Sequence, residues 1–134
     1  MPKTRFLDPR VGGGVGEAAS RILVVEDDVD VAPFLEHVLL SAGFKVHLAT
    51  SAAEARSLLD SRSYALVLTD LMLPDGSGLE IVAAAKARGI PSVVITGYAF
   101  RIPPEELARH DVLMKPVRPR ELVESVKRRL GAPE

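Results

Sequence analysis

The chain has 134 residues, 47% of them apolar and 26% charged, with a net charge of −1 and no cysteine. That length holds one domain with one core, and the balance is that of an ordinary globular chain with no basic patch for nucleic acid. Without cysteine, disulfides and thiolate metal sites are excluded, and no run approaches the ~20 apolar residues of a membrane span or the apolar core of a signal peptide.

Residues 1–20 contain Pro2, Pro9 and the run Val11-Gly12-Gly13-Gly14-Val15-Gly16, with no hydrophobic period. They read as a flexible N-terminal tail. A phosphate-binding loop would have to follow a strand and end in Lys-Ser/Thr. These glycines precede the first strand and no such lysine follows.

From Arg21 the pattern alternates strand and helix five times. Strands are predicted near 21–25, 44–49, 65–69, 92–95 and 112–114. Helices are predicted near 29–42, 51–62, 77–88, 104–109 and 119–130. Val31, Leu35, Val38 and Leu39 recur at helical spacing, as do Leu79, Val82 and Ala83. Ser51 with Glu54 and Ser77 with Glu80 fit the capping box. Pro104 and Pro119 suit first turns, and Gly43 and Gly89 suit helix C-termini. Pro103-Pro104 leaves the fourth helix short. Such alternation with short loops predicts an α/β domain over 21–131: a doubly wound, five-stranded parallel sheet with helices on both faces.

Polar residues fall at the ends of four apolar runs. Glu26-Asp27-Asp28 follows Arg21–Val25, Asp70 follows Ala65–Thr69, Thr96 follows Ser92–Ile95, and Lys115-Pro116 follows Asp111–Met114. The run before Asp70 has no polar break, as in a strand buried on both faces. In an open α/β sheet these ends share the rim where ligands bind. Three acids, a hydroxyl and an ammonium would converge there, a set suited to phosphoryl transfer. Carboxylates so crowded need a cation to offset their repulsion. Oxygen donors without His or Cys point to Mg²⁺, with Mn²⁺ as the other candidate.

The motifs V-V-E-D-D (24–28), L-V-L-T-D-L-M-L-P-D-G-S-G (66–78), V-V-I-T-G (93–97) and L-M-K-P (113–116), in this order, resemble those of the response-regulator receiver domain of two-component signalling. The resemblance covers roughly residues 20–131. It implies the flavodoxin-like strand order 2-1-3-4-5 and assigns Asp70 as the residue that accepts a phosphoryl group. It further implies that Asp27, Asp70 and the Met72 carbonyl hold the metal, with Glu26 acting through water. Lys115 would meet a phosphoryl oxygen, the Lys115–Pro116 bond would be cis, and Thr96 would be a switch hydroxyl that moves inward. Asp28 reads as solvated or capping the first helix. His37, His47 and His110 read as structural or surface residues, and Tyr64 as capping or packing at the end of the second helix.

Two departures from the family stand out. Its aromatic three residues before the lysine is Val112 here. Thr96-Gly97-Tyr98 resembles the "FAT GUY" subgroup of mainly single-domain receivers, although Val94-Ile95 replace its Phe-Ala. Tyr98, or Phe100, is the candidate to stand in for the missing aromatic.

The expectation is a stand-alone, cytoplasmic, non-enzymatic receiver, because only Gly131–Glu134 follow the last helix. Its partner would be a histidine kinase or a histidine phosphotransfer protein. No nucleic acid and no membrane are expected. A monomer is favoured, because the fourth-helix face used by receiver dimers is altered. Two alternatives compete. A haloacid-dehalogenase-type phosphatase needs an acid two residues after its nucleophile, where this chain has Met72. A phosphorylation-independent pseudo-receiver would not need the chemical residues that are all present.

Overall fold

The computed structural model describes residues 21–131. The expected tail and its glycine run lie outside them. Five parallel strands form the sheet: β1 (Arg21–Val25), β2 (Lys45–Ala49), β3 (Leu66–Asp70), β4 (Ser92–Thr96) and β5 (Val112–Met114), in the order β2-β1-β3-β4-β5. The helices are α1 (Val31–Ser41), α2 (Ala52–Ser61), α3 (Gly78–Lys86), α4 (Pro104–Leu107) and α5 (Pro119–Leu130). A two-stranded antiparallel ribbon, Met72–Leu73 with Gly76–Ser77, sits between β3 and α3 and is left outside this numbering. The expected fold class and strand order are those observed.

Alternate strand residues feed two cores, as the pleat requires. Ile22, Val24, Leu66, Leu68, Val93 and Ile95 pack with Leu35 and Leu39 of α1 and Leu122 and Val126 of α5. Leu23, Val25 and Val67 face the other way, against Ala55 and Leu59 of α2 and Ile81 and Ala85 of α3. Every residue of β3 is buried, which explains why its sequence shows no alternation.

The register aligns the strand ends. Val25 pairs with both Ala49 and Thr69, Asp70 with Ile95, and Thr96 with Met114. The ladder continues one residue further, with Glu26 N–H donating to the Ala49 carbonyl at 2.9 Å and Lys115 N–H to the Thr96 carbonyl at 3.0 Å. Glu26, Asp70, Thr96 and Lys115 thereby stand on one rim.

Local chemistry sets several boundaries. Helix α1 starts at Val31, two residues later than predicted, because Asp28 Oδ1 accepts the amides of Asp30 (2.8 Å) and Val31 (3.1 Å) and holds a turn there. Neither capping box closes: both serines cap their helices, but neither glutamate reaches back to the serine amide. Ser51 Oγ accepts the Glu54 amide at 3.1 Å, but the Glu54 carboxylate takes the Thr50 amide at 2.9 Å. Ser77 Oγ accepts the Leu79 amide at 3.1 Å, while Glu80 pairs with Arg56 at 2.7 Å. Gly43 and Gly89 have φ of +96° and +73°, as helix C-termini ask.

The fourth helix is one turn. Ile102 precedes a proline and is extended at φ −100°, ψ 128°, so the chain from Thr96 yields only a 3-10 turn, Ala99–Arg101, before Pro104 begins α4. The helix stops at Leu107 rather than 109 because its last turn tightens: Arg109 N–H bonds the Glu106 carbonyl and His110 N–H the Leu107 carbonyl.

Candidate phosphoryl-acceptor site

Glu26, Asp27 and Asp70 each present a carboxylate oxygen within 4.8 Å of the others. Glu26 is fully buried, Asp70 nearly so, and Asp27 exposed. Lys115 reaches between two of them, with Nζ 3.0 Å from Glu26 Oε1 and 3.0 Å from Asp70 Oδ2. The contact to Asp70 is an aligned hydrogen bond. The contact to Glu26 is an ion pair without hydrogen-bond alignment, so Oε1 is buried with its directional demand unmet. Glu26 Oε2 accepts the Asp28 amide at 3.2 Å.

These surroundings shift two groups. Burial pushes the Glu26 carboxyl above its ordinary 4.5; the neighbouring Asp70 charge adds to this, and Lys115 and the Asp28 amide oppose it. Burial pulls the Lys115 ammonium down, but the carboxylates of Glu26 and Asp70 outweigh it and hold the lysine above 10.5. Lys115 therefore stays charged across the neutral range. Three carboxylates facing one ammonium leave the crevice rich in negative charge, with oxygen donors only.

The backbone under Asp70 is clamped. Thr69 Oγ1 donates to the Asp70 carbonyl at 2.8 Å, and Gly78 N–H to the Leu71 carbonyl at 2.7 Å. A Cβ on Gly78 would lie 2.0 Å from the Asp70 carbonyl oxygen. Only glycine lets α3 start this close to β3. The intervening ribbon is tied down at its turn, where Asp75 Oδ1 and Oδ2 accept the amides of Ala52 (2.7 Å) and Ala53 (3.0 Å), the first two residues of α2. Those two bonds hold the Asp75 carboxyl below its ordinary 3.8.

Thr96 is buried at the end of β4, and its Oγ1 accepts the Tyr98 amide at 2.9 Å. Among the described residues its hydroxyl makes no hydrogen bond to Asp70 or Lys115. Met72 N–H points at Asp70 Oδ1 over a long 3.4 Å, and the residue is 43% exposed. The cleft above Asp70 is lined by Glu26, Asp27, Asp28, Met72, Gly97, Tyr98 and Lys115. The Lys115–Pro116 bond is cis. Val112 is half-buried against Leu71, Val94 and Ile102.

Of the residues singled out from sequence, Glu26, Asp27, Asp70 and Lys115 are brought together, Met72 and Tyr98 form the cleft's lip, and Thr96 is turned toward Tyr98. Asp28 is exposed and caps α1. Tyr64 packs after α2 and bonds His47 Nδ1 at 2.8 Å, and His110 bonds Glu106 at 2.6 Å. Thr69, Asp75 and Gly78 were missed. Pro74-Asp75-Gly76 reads locally as a turn, and nothing in that signal announces a partner more than twenty residues away.

Residues 22–127 match the family described as the response regulator receiver domain. Among curated proteins, the DNA-binding response regulator MtrA of Mycolicibacterium paratuberculosis is 35% identical over 114 residues, covering 82% of this chain and 51% of that protein. The MtrA of Mycobacterium tuberculosis (strain H37Rv) matches at the same identity, with 50% of its length covered. Among solved structures, a CheY-like response regulator receiver domain protein from Methanospirillum hungatei JF-1 is 32% identical, with a TM-score of 0.74 over 84% of this chain and 94% of that one. The receiver domain of sensor histidine kinase PA1611 from Pseudomonas aeruginosa PAO1, with a magnesium ion coordinated in its active-site cleft, is 27% identical, with a TM-score of 0.75 over 84% and 98%.

These relatives overturn one expectation. A net charge near zero predicts no nucleic-acid partner, yet the curated relatives are DNA-binding regulators. The chain spans about half the length of those proteins. Its charge balance describes its own residues and carries no information about the remaining half. No helix of the described residues is long and apolar enough to cross a membrane.

Proposed function

This chain belongs to the response-regulator receiver family of two-component signalling, and from that premise we propose that Asp70 takes a phosphoryl group from a phosphohistidine of a histidine kinase or histidine phosphotransfer protein. The observation that carries the proposal is the cluster of Glu26, Asp27 and Asp70 within 4.8 Å, with Lys115 Nζ held 3.0 Å from two of them. An Asp70 carboxylate oxygen attacks phosphorus, the phosphorus–nitrogen bond to the donor imidazole breaks, and the imidazole leaves with the bonding pair. Lys115 neutralises a phosphoryl oxygen, in the place where it now neutralises Asp70. Gly78 and Thr69 hold the Asp70 backbone fixed, which keeps the nucleophile in line. Thr96 gives up the Tyr98 amide and turns its hydroxyl to the new phosphoryl oxygens.

The donor set fits a divalent ion. It offers oxygen ligands only, one of them a buried Glu26 oxygen that Lys115 pairs with but does not satisfy with an aligned hydrogen bond, in a crevice with more negative than positive charge. Asp27, Asp70 and the Met72 carbonyl would hold Mg²⁺ directly and Glu26 through water, with Mn²⁺ able to substitute. When bound, the ion offsets charge on the transferring phosphoryl group.

The chain acts in this reading as a cytoplasmic signalling domain, not as an enzyme on external phosphoesters, because Met72 carries a thioether with no proton for a leaving group. Metal titration tests the proposal. Mg²⁺ should bind the wild-type chain and be needed for its phosphorylation by acetyl phosphate, and Asp27→Asn should weaken binding at least about tenfold, the loss of one anionic ligand. Equal affinity in the two proteins would remove the metal from this site.

A further inference from the structure

Arg101 touches both lips of the cleft. Its guanidinium carbon lies 4.8 Å from the centre of the Tyr98 ring, and its Nη1 lies 3.8 Å from Met72 Sδ. Tyr98 belongs to the segment after β4 and Met72 to the ribbon after β3, and both line the cleft. Phe100 closes the cluster, its ring 6.1 Å from that of Tyr98 and 5.9 Å from the Arg101 guanidinium.

The placement is built by the 3-10 turn. Arg101 N–H bonds the Tyr98 carbonyl at 2.9 Å and Ile102 N–H the Ala99 carbonyl at 3.0 Å. Ala99 and Ile102 are buried and anchor the turn, while Tyr98, Phe100 and Arg101 are exposed. Among the described residues no carboxylate pairs with Arg101, so its charge meets aromatic faces and a polarisable sulfur. Tyr98 is joined in turn to the switch, because its amide donates to Thr96 Oγ1.

We propose that Arg101 is a positioning residue, a latch that holds Tyr98 and Met72 together across the mouth of the cleft and so limits how fast phosphodonor and water reach Asp70. This rests on Asp70 being the acceptor. Both reactions need the mouth open. In loading, Asp70 attacks the phosphorus of acetyl phosphate and acetate leaves. In unloading, water attacks phosphorus, the bond to Asp70 breaks, and the carboxylate and inorganic phosphate are released with a proton to solvent. A latch adds the same opening cost to each. Removing it speeds both and leaves the steady phosphorylated fraction nearly unchanged, whereas a residue that only stabilised the phosphoryl group would shift that fraction.

The test uses Arg101→Ala and Arg101→Lys in the full chain. Arg101 is exposed, and an unchanged thermal midpoint checks folding. Arg101→Ala should raise the rates of loading by acetyl phosphate and of unloading together, by about two- to five-fold, the scale of one exposed cation–π contact. Arg101→Lys, which keeps the charge but not the flat guanidinium, should fall between. A second readout needs no phosphorylation. The chain has two tyrosines and no tryptophan, and Tyr64 is buried. Acrylamide quenching of tyrosine emission therefore reports Tyr98, and it should increase in Arg101→Ala. If the wild-type chain is phosphorylated, unchanged quenching, or a change in only one of the two rates, overturns the latch. A wild-type chain that takes no phosphoryl group is instead a failure of the acceptor reading.

Discussion

Replacing Lys115 by Met keeps the shape of the stem and removes the ammonium between Glu26 and Asp70. Losing one partner of a fully buried pair costs about 3–5 kcal/mol. Two features reduce that here. The Lys115 side chain retains 24% of its exposure, and Glu26 can take up a proton instead of remaining an uncompensated anion. We expect a loss of about 1–2 kcal/mol at pH 7 without added metal. For a domain of this size that lowers the melting midpoint by about 3–8 °C.

The sign of the pH dependence follows from Glu26. Its folded value already lies above 4.5 through burial, and loss of Lys115 raises it further. Between the ordinary glutamate value and that raised one, the folded chain binds a proton that the unfolded chain does not, so stability increases as pH falls. The variant's deficit should therefore be largest near neutrality and shrink as the pH is lowered toward 4.5. In the wild type, Lys115 titrates above 10.5, so its own stabilisation is present throughout that window and is lost only as pH rises through its folded value. Thermal melts followed by circular dichroism across the acid-to-neutral window measure the deficit and its change with pH. A Lys115→Met protein as stable as wild type at pH 7, or one whose deficit does not change with pH, refutes the reasoning.

Three further outcomes follow from the same geometry. Gly78→Ala puts a Cβ 2.0 Å from the Asp70 carbonyl, where nothing closer than 3.0 Å is tolerated and the obstacle is backbone; stability should drop by about 1–3 kcal/mol, with loading of Asp70 impaired, and a wild-type melt would contradict this. Asp75→Ala removes the acceptor of the Ala52 and Ala53 amides, so amide hydrogen exchange should rise in the ribbon and at the start of α2 together, and protection unchanged at both would deny the tether. Because those bonds hold the Asp75 carboxyl low, its stabilisation should be complete above the ordinary 3.8 and fade as pH falls through the folded value, visible as a smaller gap between wild type and variant in acid melts.

The fold was readable because its signals are local and repeated. The unbroken run Leu66–Thr69 declares a doubly buried strand, and Pro103-Pro104 declares a stunted fourth helix. Glu26, Asp70, Thr96 and Lys115 were readable as a group because parallel register puts consecutive strand ends on one rim. What was hidden depends on contacts across the chain. The Ser51–Glu54 box stays open because the Glu54 carboxylate turns to the Thr50 amide, and Asp75 separately takes the first two amides of α2. Gly78 looked like part of a helix start, and its closeness to Asp70 appears only when α3 is laid against β3. The motif points Thr96 at a phosphoryl group, whereas in the fold its oxygen accepts the Tyr98 amide. Arg101 sits beside two aromatics in sequence, and no periodicity marks it as bridging the cleft.

On this reading Asp70 alone carries the phosphoryl group. Intact-mass measurement of the chain after incubation with acetyl phosphate and Mg²⁺, wild type beside Asp70→Asn, tests it most directly. The wild type should gain a single phosphoryl adduct, and Asp70→Asn, which keeps the shape and removes the anionic nucleophile, should gain none. An adduct on Asp70→Asn at the wild-type level would contradict the account.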